Sequence, residues 1–169
     1  MLYPLLVVIH ETLISANASL ILHSDPEYYG SYHALIDRAG EITYLTPSDS
    51  KAYAAARSSF TNSFGEVEQI NGSVDDFAYH IALETPVDGY NSLKAAHIGY
   101  TKEQYESLAW LSAHTGVRKE RIVTHGEIQT PTTNEPRCFN FDYFFAQFEQ
   151  ARTVSRKTLN FGVLDYNAG

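Results

Sequence analysis

Seven histidines, 20 acidic residues and a single cysteine are the side chains of this 169-residue chain best able to bind a metal ion or move a proton. Two of the histidines stand apart by what precedes them. His10 follows Leu5-Leu6-Val7-Val8-Ile9 and His125 follows Arg121-Ile122-Val123-Thr124, so each imidazole ends a run that reads as a buried strand. Glu84 ends a third such run, Phe77 to Leu83. In open α/β sheets ligand chemistry gathers beyond the strand ends. A catalytic zinc site takes three protein ligands from nitrogen, oxygen or sulfur and keeps a fourth position open. Those ligands need not be close in sequence, and Glu127, Glu135 and Cys138 each offer a third after His125. His10-Glu11 begins like the helical H-E-x-x-H motif, but the fifth position is Ile14 and the preceding run is a strand, which excludes it. Residue types and spacing reach a two-histidine metal site and stop there. His33 and His80 fall inside strands and read as hydrogen-bonded structural imidazoles, whereas His23, His97 and His114 read as solvated or capping residues.

Elements are needed to bring such residues together. Beyond the strand before His10, Ser15 to Leu22 reads as a helix capped by Ser15 and stopped at Asp25-Pro26. Ser31 to Ile36, a turn at Asp37-Arg38-Ala39-Gly40, and Ile42 to Leu45 form a hairpin pattern. The alanine-rich stretch Lys51 to Arg57 predicts a short helix, and Ser58 to Asp76 a long surface excursion. Thr101-Lys-Glu-Gln104 matches a capping box, followed by Tyr105, Leu108, Ala109 and Ser112 at helical spacing until Gly116. Phe139 to Ala151, dense in Phe and Tyr, predicts a closing helix on the sheet. This order implies an α/β fold with a mixed central sheet flanked by helices.

The length suits one domain. We expect residues 1–169 to form it, with a core at about 4–150 and a C-terminal tail at about 151–169. With 12 basic against 20 acidic residues the formal charge is −8, which removes the general positive field of a nucleic-acid or anionic-membrane binder. One cysteine excludes an internal disulfide. The apolar run at the N-terminus has no basic flank or cleavage site and is too short to span a membrane, so no signal peptide is visible. The 22 aromatics, 13% of the chain, suit either a rich core or a groove for an extended polar ligand.

Several segments resemble the zinc-dependent N-acetylmuramoyl-L-alanine amidases of the amidase-2 group, which includes peptidoglycan recognition proteins. They are V-V-I-H-E-T around His10, S-Y-H-A-L-I-D-R-A-G from Ser31, Y-H-I-A-L-E-T from Tyr79, G-Y-T-K-E-Q-Y from Gly99, and T-H-G-E followed by E-P-R-C-F-N-F. The likeness runs in register over about residues 4–148 and is nearest to cyanobacterial and phage members.

That resemblance implies an amidase-2 fold and Zn2+ as cofactor, with His10 and His125 as metal ligands. The third ligand of the family, usually Asp or Cys ahead of a proline, is replaced by Glu135 before Pro136; Cys138 is the competing ligand, and the acid-proline order favours Glu135. Glu84 takes the place of the family's acid after the central strand and would act as general acid and base. Tyr32 and Thr133 would steady the oxyanion, Thr133 standing where the family often has lysine. The implied reaction is hydrolysis of the amide between N-acetylmuramic acid and L-alanine in peptidoglycan or muropeptides. Such an enzyme would act in the cytoplasm or be released to the cell wall, as an endolysin is. The alternative is a catalytically impaired muropeptide-binding module of the same fold.

Overall fold

The computed structural model describes residues 4–25, 27–68, 72–92, 96–128 and 134–164, the last ten of these by backbone only. A five-stranded sheet organises them. Its strands are β1 (Leu6–Glu11), β2 (Ala34–Ile36), β3 (Ile42–Tyr44), β6 (Ala78–Leu83) and β7 (Ile122–Thr124), in the order β3-β2-β6-β1-β7. β2 and β3 pair antiparallel, and the other neighbours are parallel. The mixed sheet expected from the sequence is therefore present. A separate two-stranded ribbon joins β4 (Phe60–Thr61) to β5 (Val67–Glu68).

Alternation along β1 divides the core. Val7 and Ile9 join Ile36, Ile81, Leu83, Leu108, Phe144 and Phe148 on one face, while Leu6 and Val8 join Phe60, Val74, Val123 and Ile128 on the other. The first face is covered by helices α2 (Lys102–His114) and α4 (Phe141–Leu164). His10 continues the face of Leu6 and Val8. It therefore points away from those two helices, at the C-terminal end of its strand.

Local signals fix the elements much as read. α1 (Ala16–Ser24) starts at Ser15, whose side chain accepts from the Ala18 N–H, and α2 has both halves of its capping box at Thr101 and Gln104. Gly40 adopts φ 83° in the β2–β3 turn, where a Cβ would lie 2.7 Å from the Glu103 carbonyl oxygen. Glycine is required there both for conformation and for space.

Two expectations fail. Lys51 to Arg57 forms no helix. Ala52 and Ala55 are buried, Ala56 has φ 46°, and the Ala54 and Ala55 N–H groups donate to the Asp75 carboxylate at 3.3 and 2.9 Å. Tertiary contacts thus override the alanine propensity. Ser58 to Asp76 is not one surface excursion either. It holds the β4–β5 ribbon, turned by Asn62 and Gly65, and a 3-10 turn at Val74–Asp76 that buries Val74. The closing helix also runs beyond Ala151, to Leu164. Among the described residues no helix is long and apolar enough to cross a membrane.

Candidate metal centre

β1 and β7 are neighbours in parallel register, Ile9 opposite Thr124, so the residues that follow each pair emerge side by side. Those residues are His10 and His125, with ring centroids 4.7 Å apart. His125 opens the short helix α3 (His125–Ile128). The Thr124 N–H and hydroxyl both donate to Glu127, which occupies that acid within its own turn.

Glu135 closes the group. One of its carboxylate oxygens lies 2.9 Å from His125 Nδ1 and the other 3.8 Å from His10 Nδ1. One ligand atom from each of His10, His125 and Glu135 can be chosen so that all lie within 4.8 Å of one another. Two ligands about 2.1 Å from a tetrahedral ion stand roughly 3.4 Å apart, so the three need only a small contraction to share one. Cys138 lies outside this trio. It is exposed, and its sulfur accepts from the His97 N–H at 3.4 Å.

The loop carrying Glu135 is tied to β1 by a buried ion pair. Arg137 donates from Nε to one oxygen of Glu11 at 2.8 Å and from Nη2 to the other at 2.9 Å. Arg137 Nη2 also reaches the Gly89 carbonyl at 2.8 Å, and Thr85 donates its hydroxyl to Glu11. His97, which the sequence placed among solvated or capping residues, is 8% exposed and stands 3.6 Å from Glu11. Its pattern in sequence carries no apolar periodicity, and its burial comes from tertiary packing beside Glu11 and Tyr100.

Protonation states favour metal binding, which needs neutral imidazoles and an ionised carboxylate. Burial lowers His10 to about 4. Burial alone would raise Glu135, but the neighbouring His10 and His125 imidazoles hold it well below the usual carboxylate range. His125 Nε2 is buried with no hydrogen-bond partner. The donor set, two imidazoles and one carboxylate, matches one used by catalytic zinc sites. The residues therefore fit a divalent ion.

Tyr32 lies beside this centre, its ring 5.3 Å from that of His10 and 5.2 Å from that of His23. Burial, reinforced by the charge of Glu135, pushes its phenol far above the usual range, so it stays protonated as a neutral donor. Glu84 lies past the end of β6, with Oε1 accepting from the Ala16 N–H at 3.0 Å and Oε2 from the Arg38 N–H at 2.9 Å. The Tyr90 hydroxyl approaches Oε1 at 3.4 Å. Thr133 lies outside the described residues.

Sequence reasoning missed the residue behind His10. His80, read as a structural imidazole, is fully buried and places Nδ1 2.9 Å from His10 Nε2. One signal could have found it. In the two parallel strands, the Val8–His10 and His80–Ala82 pairs share a face whenever the runs are aligned at their C-terminal ends.

Residues 2–138 match the family model described as N-acetylmuramoyl-L-alanine amidase. Among curated proteins there is no match. Several solved structures are similar. A selenomethionine derivative of AmpD is 25% identical over 85% of this chain and 84% of that one, with TM-score 0.64. AmiD from E. coli, solved with its substrate anhydro-N-acetylmuramic acid-L-Ala-D-gamma-Glu-L-Lys, is 21% identical, covering 84% of this chain and 56% of that one, with TM-score 0.65. The N-acetylmuramoyl-L-alanine amidase LysC from Clostridium intestinale URNW is 20% identical over 87% of this chain and 86% of that one, with TM-score 0.60.

Proposed function

The chain belongs to the N-acetylmuramoyl-L-alanine amidase family, and from that membership we propose that it uses zinc held by His10, His125 and Glu135 to cut the amide joining N-acetylmuramic acid to L-alanine. The observation that carries this reading is the convergence of His10, His125 and Glu135, each offering one ligand atom within 4.8 Å of the others. Bound there, zinc supplies Lewis acidity, lowering the pKa of a water to about 7 and polarising the scissile carbonyl.

The remaining work falls to the side chains. Tyr32, a neutral phenol beside His10, donates a hydrogen bond to the carbonyl oxygen as charge develops on it. Glu84 accepts the proton of the attacking water and returns it to the leaving amine of L-alanine. A carboxylate offers about four acceptor sites. Among the described residues, the Ala16 and Arg38 amides and the Tyr90 hydroxyl take three of them, which leaves Glu84 one for that proton. The substrate is a muropeptide or intact peptidoglycan.

Digestion of purified sacculi by the zinc-loaded protein, followed by mass spectrometry, tests the proposal. Free stem peptides beginning with L-alanine are expected, with release abolished by a chelator and restored by zinc. Cleavage within the glycan or between stem residues would overturn it. Tight muropeptide binding without turnover would select the binding module instead.

A further inference from the structure

A histidine ligand must offer an unprotonated nitrogen, and a neutral imidazole can do so at either of two atoms. We propose that His80 and Asp75 are positioning residues that hold His10 in the tautomer protonated at Nε2, leaving the Nδ1 lone pair for the metal. This rests on the reading of His10, His125 and Glu135 as a metal centre.

The polarity of the line is set at its far end. Asp75 is buried, and its Oδ1 accepts the N–H groups of Ala54 at 3.3 Å and Ala55 at 2.9 Å. Backbone amides only donate, so the Asp75 oxygen is an acceptor. His80 Nε2 lies 3.2 Å from that same oxygen, off the line of an ideal hydrogen bond, and so close an approach to a carboxylate oxygen favours a nitrogen that carries a hydrogen. A neutral His80 protonated at Nε2 has its lone pair on Nδ1. That atom is 2.9 Å from His10 Nε2, which must then be the donor. The opposite tautomer of His10 would set two lone pairs against each other at this distance. One atom of His10 remains, Nδ1, and it is the one that faces Glu135 at 3.8 Å.

His80 cannot swing out of the line. Its backbone N–H donates to His33 Nδ1 at 3.0 Å, and its carbonyl accepts the His33 N–H at 2.9 Å. The His33 and His80 rings are stacked at 5.8 Å with 9° between their planes. Strand pairing with β1 holds the other side, with His80 opposite Val8. Metal-bound histidines commonly donate their second N–H to a carboxylate or carbonyl, which fixes the ring. Here an extra imidazole extends that arrangement along one face of the sheet to a carboxylate in the turn just before β6 begins.

Two measurements test the assignment. In metal-free protein labelled with 15N at histidine, two-bond 1H–15N correlations at pH 7.5 should show both His10 and His80 protonated at Nε2. A His10 ring protonated at Nδ1 would overturn the proposal. Zinc affinity, measured by competition with a chromogenic chelator, should fall about 10- to 100-fold in His80→Phe. It should be largely restored in His80→Asn, whose Oδ1 stands near the place of Nδ1 and accepts the same hydrogen. Unchanged affinity in folded His80→Phe would also overturn the proposal, because a merely structural His80 would alter stability and leave metal affinity alone. A wild-type protein that shows the expected tautomers yet binds no zinc would uphold the relay and overturn the metal centre.

Discussion

Glu84 and Tyr32 are the two side chains whose assigned roles can be separated from their packing. The Glu84 carboxylate ends the free valence of two backbone amides, at Ala16 and Arg38, that belong to different segments. Replacing it with Gln turns one acceptor into a donor facing an N–H, which should cost about 1–3 kcal/mol of stability. If Glu84 also moves the proton, kcat per folded molecule should fall by about 10²–10⁴. Comparing active-site-normalised kcat with urea unfolding separates the two effects, and an unchanged kcat would leave Glu84 a purely structural acid. Tyr32→Phe removes one oxyanion donor and should lower kcat about 10²- to 10³-fold with little change in KM. An equal rise in KM would instead place Tyr32 in ground-state binding. The histidines at strand ends were legible in sequence because β-branched runs announce where a strand stops. His80 was not, because its partners, His10 and Asp75, are set by how two strands and a turn meet rather than by its own neighbours.

The loop that brings Glu135 to the site is held by the Glu11–Arg137 pair, an element-level device. Glu11 follows His10 directly, and Arg137 lies two positions after Glu135, so one ion pair couples strand and loop. Removing one partner of a buried pair is far more damaging than replacing both, since it strands a charge. Arg137→Met should lose about 3–5 kcal/mol by urea unfolding, and the double variant with Glu11→Gln should recover part of it. A single variant within experimental error of wild type would show that the loop is held by other contacts. α2 was readable from its capping box and apolar spacing, and the strands from their composition. Lys51 to Arg57 was misread for a definite reason: Asp75 takes the amides of Ala54 and Ala55 that a helix would have used internally. Sequence spacing reports local preference and is silent when a distant carboxylate competes for the same donors.

At the scale of the whole molecule, the sheet and its flanking helices were legible, whereas the meeting of His10, His125 and Glu135 came from resemblance and was not derivable from spacing. Acid sensitivity is a property of the assembled fold. His33 is buried, donates to the Ser50 carbonyl at 3.0 Å and is lowered by burial to about 4, against 6.5 for an exposed imidazole. Between those values the unfolded chain binds more protons than the folded one, so stability falls as pH is lowered from 6.5 towards 4. The loss from this group approaches roughly 3 kcal/mol below that window. Urea unfolding at pH 7.5 and 4.5 should show it, with a shallower pH dependence in His33→Asn, which keeps an acceptor for the His80 N–H but does not titrate. An identical dependence in both proteins would assign the acid loss to other groups.

His10 stands on the second strand from one edge of the sheet, His125 leaves the edge strand beside it, and Glu135 arrives on a later loop. None of the three is a sequence neighbour of another, so on the proposed reading a nascent or partly unravelled chain would offer no high-affinity place for the ion. Occupancy would thus report completion of assembly. Ligand excess should shift the melting temperature upward by mass action, by the equivalent of about 4 kcal/mol at a thousandfold over Kd. Scarcity of the ion would withhold both hydrolytic power and durability from the same molecule at once, coupling the enzyme's lifetime to the metal supply around it.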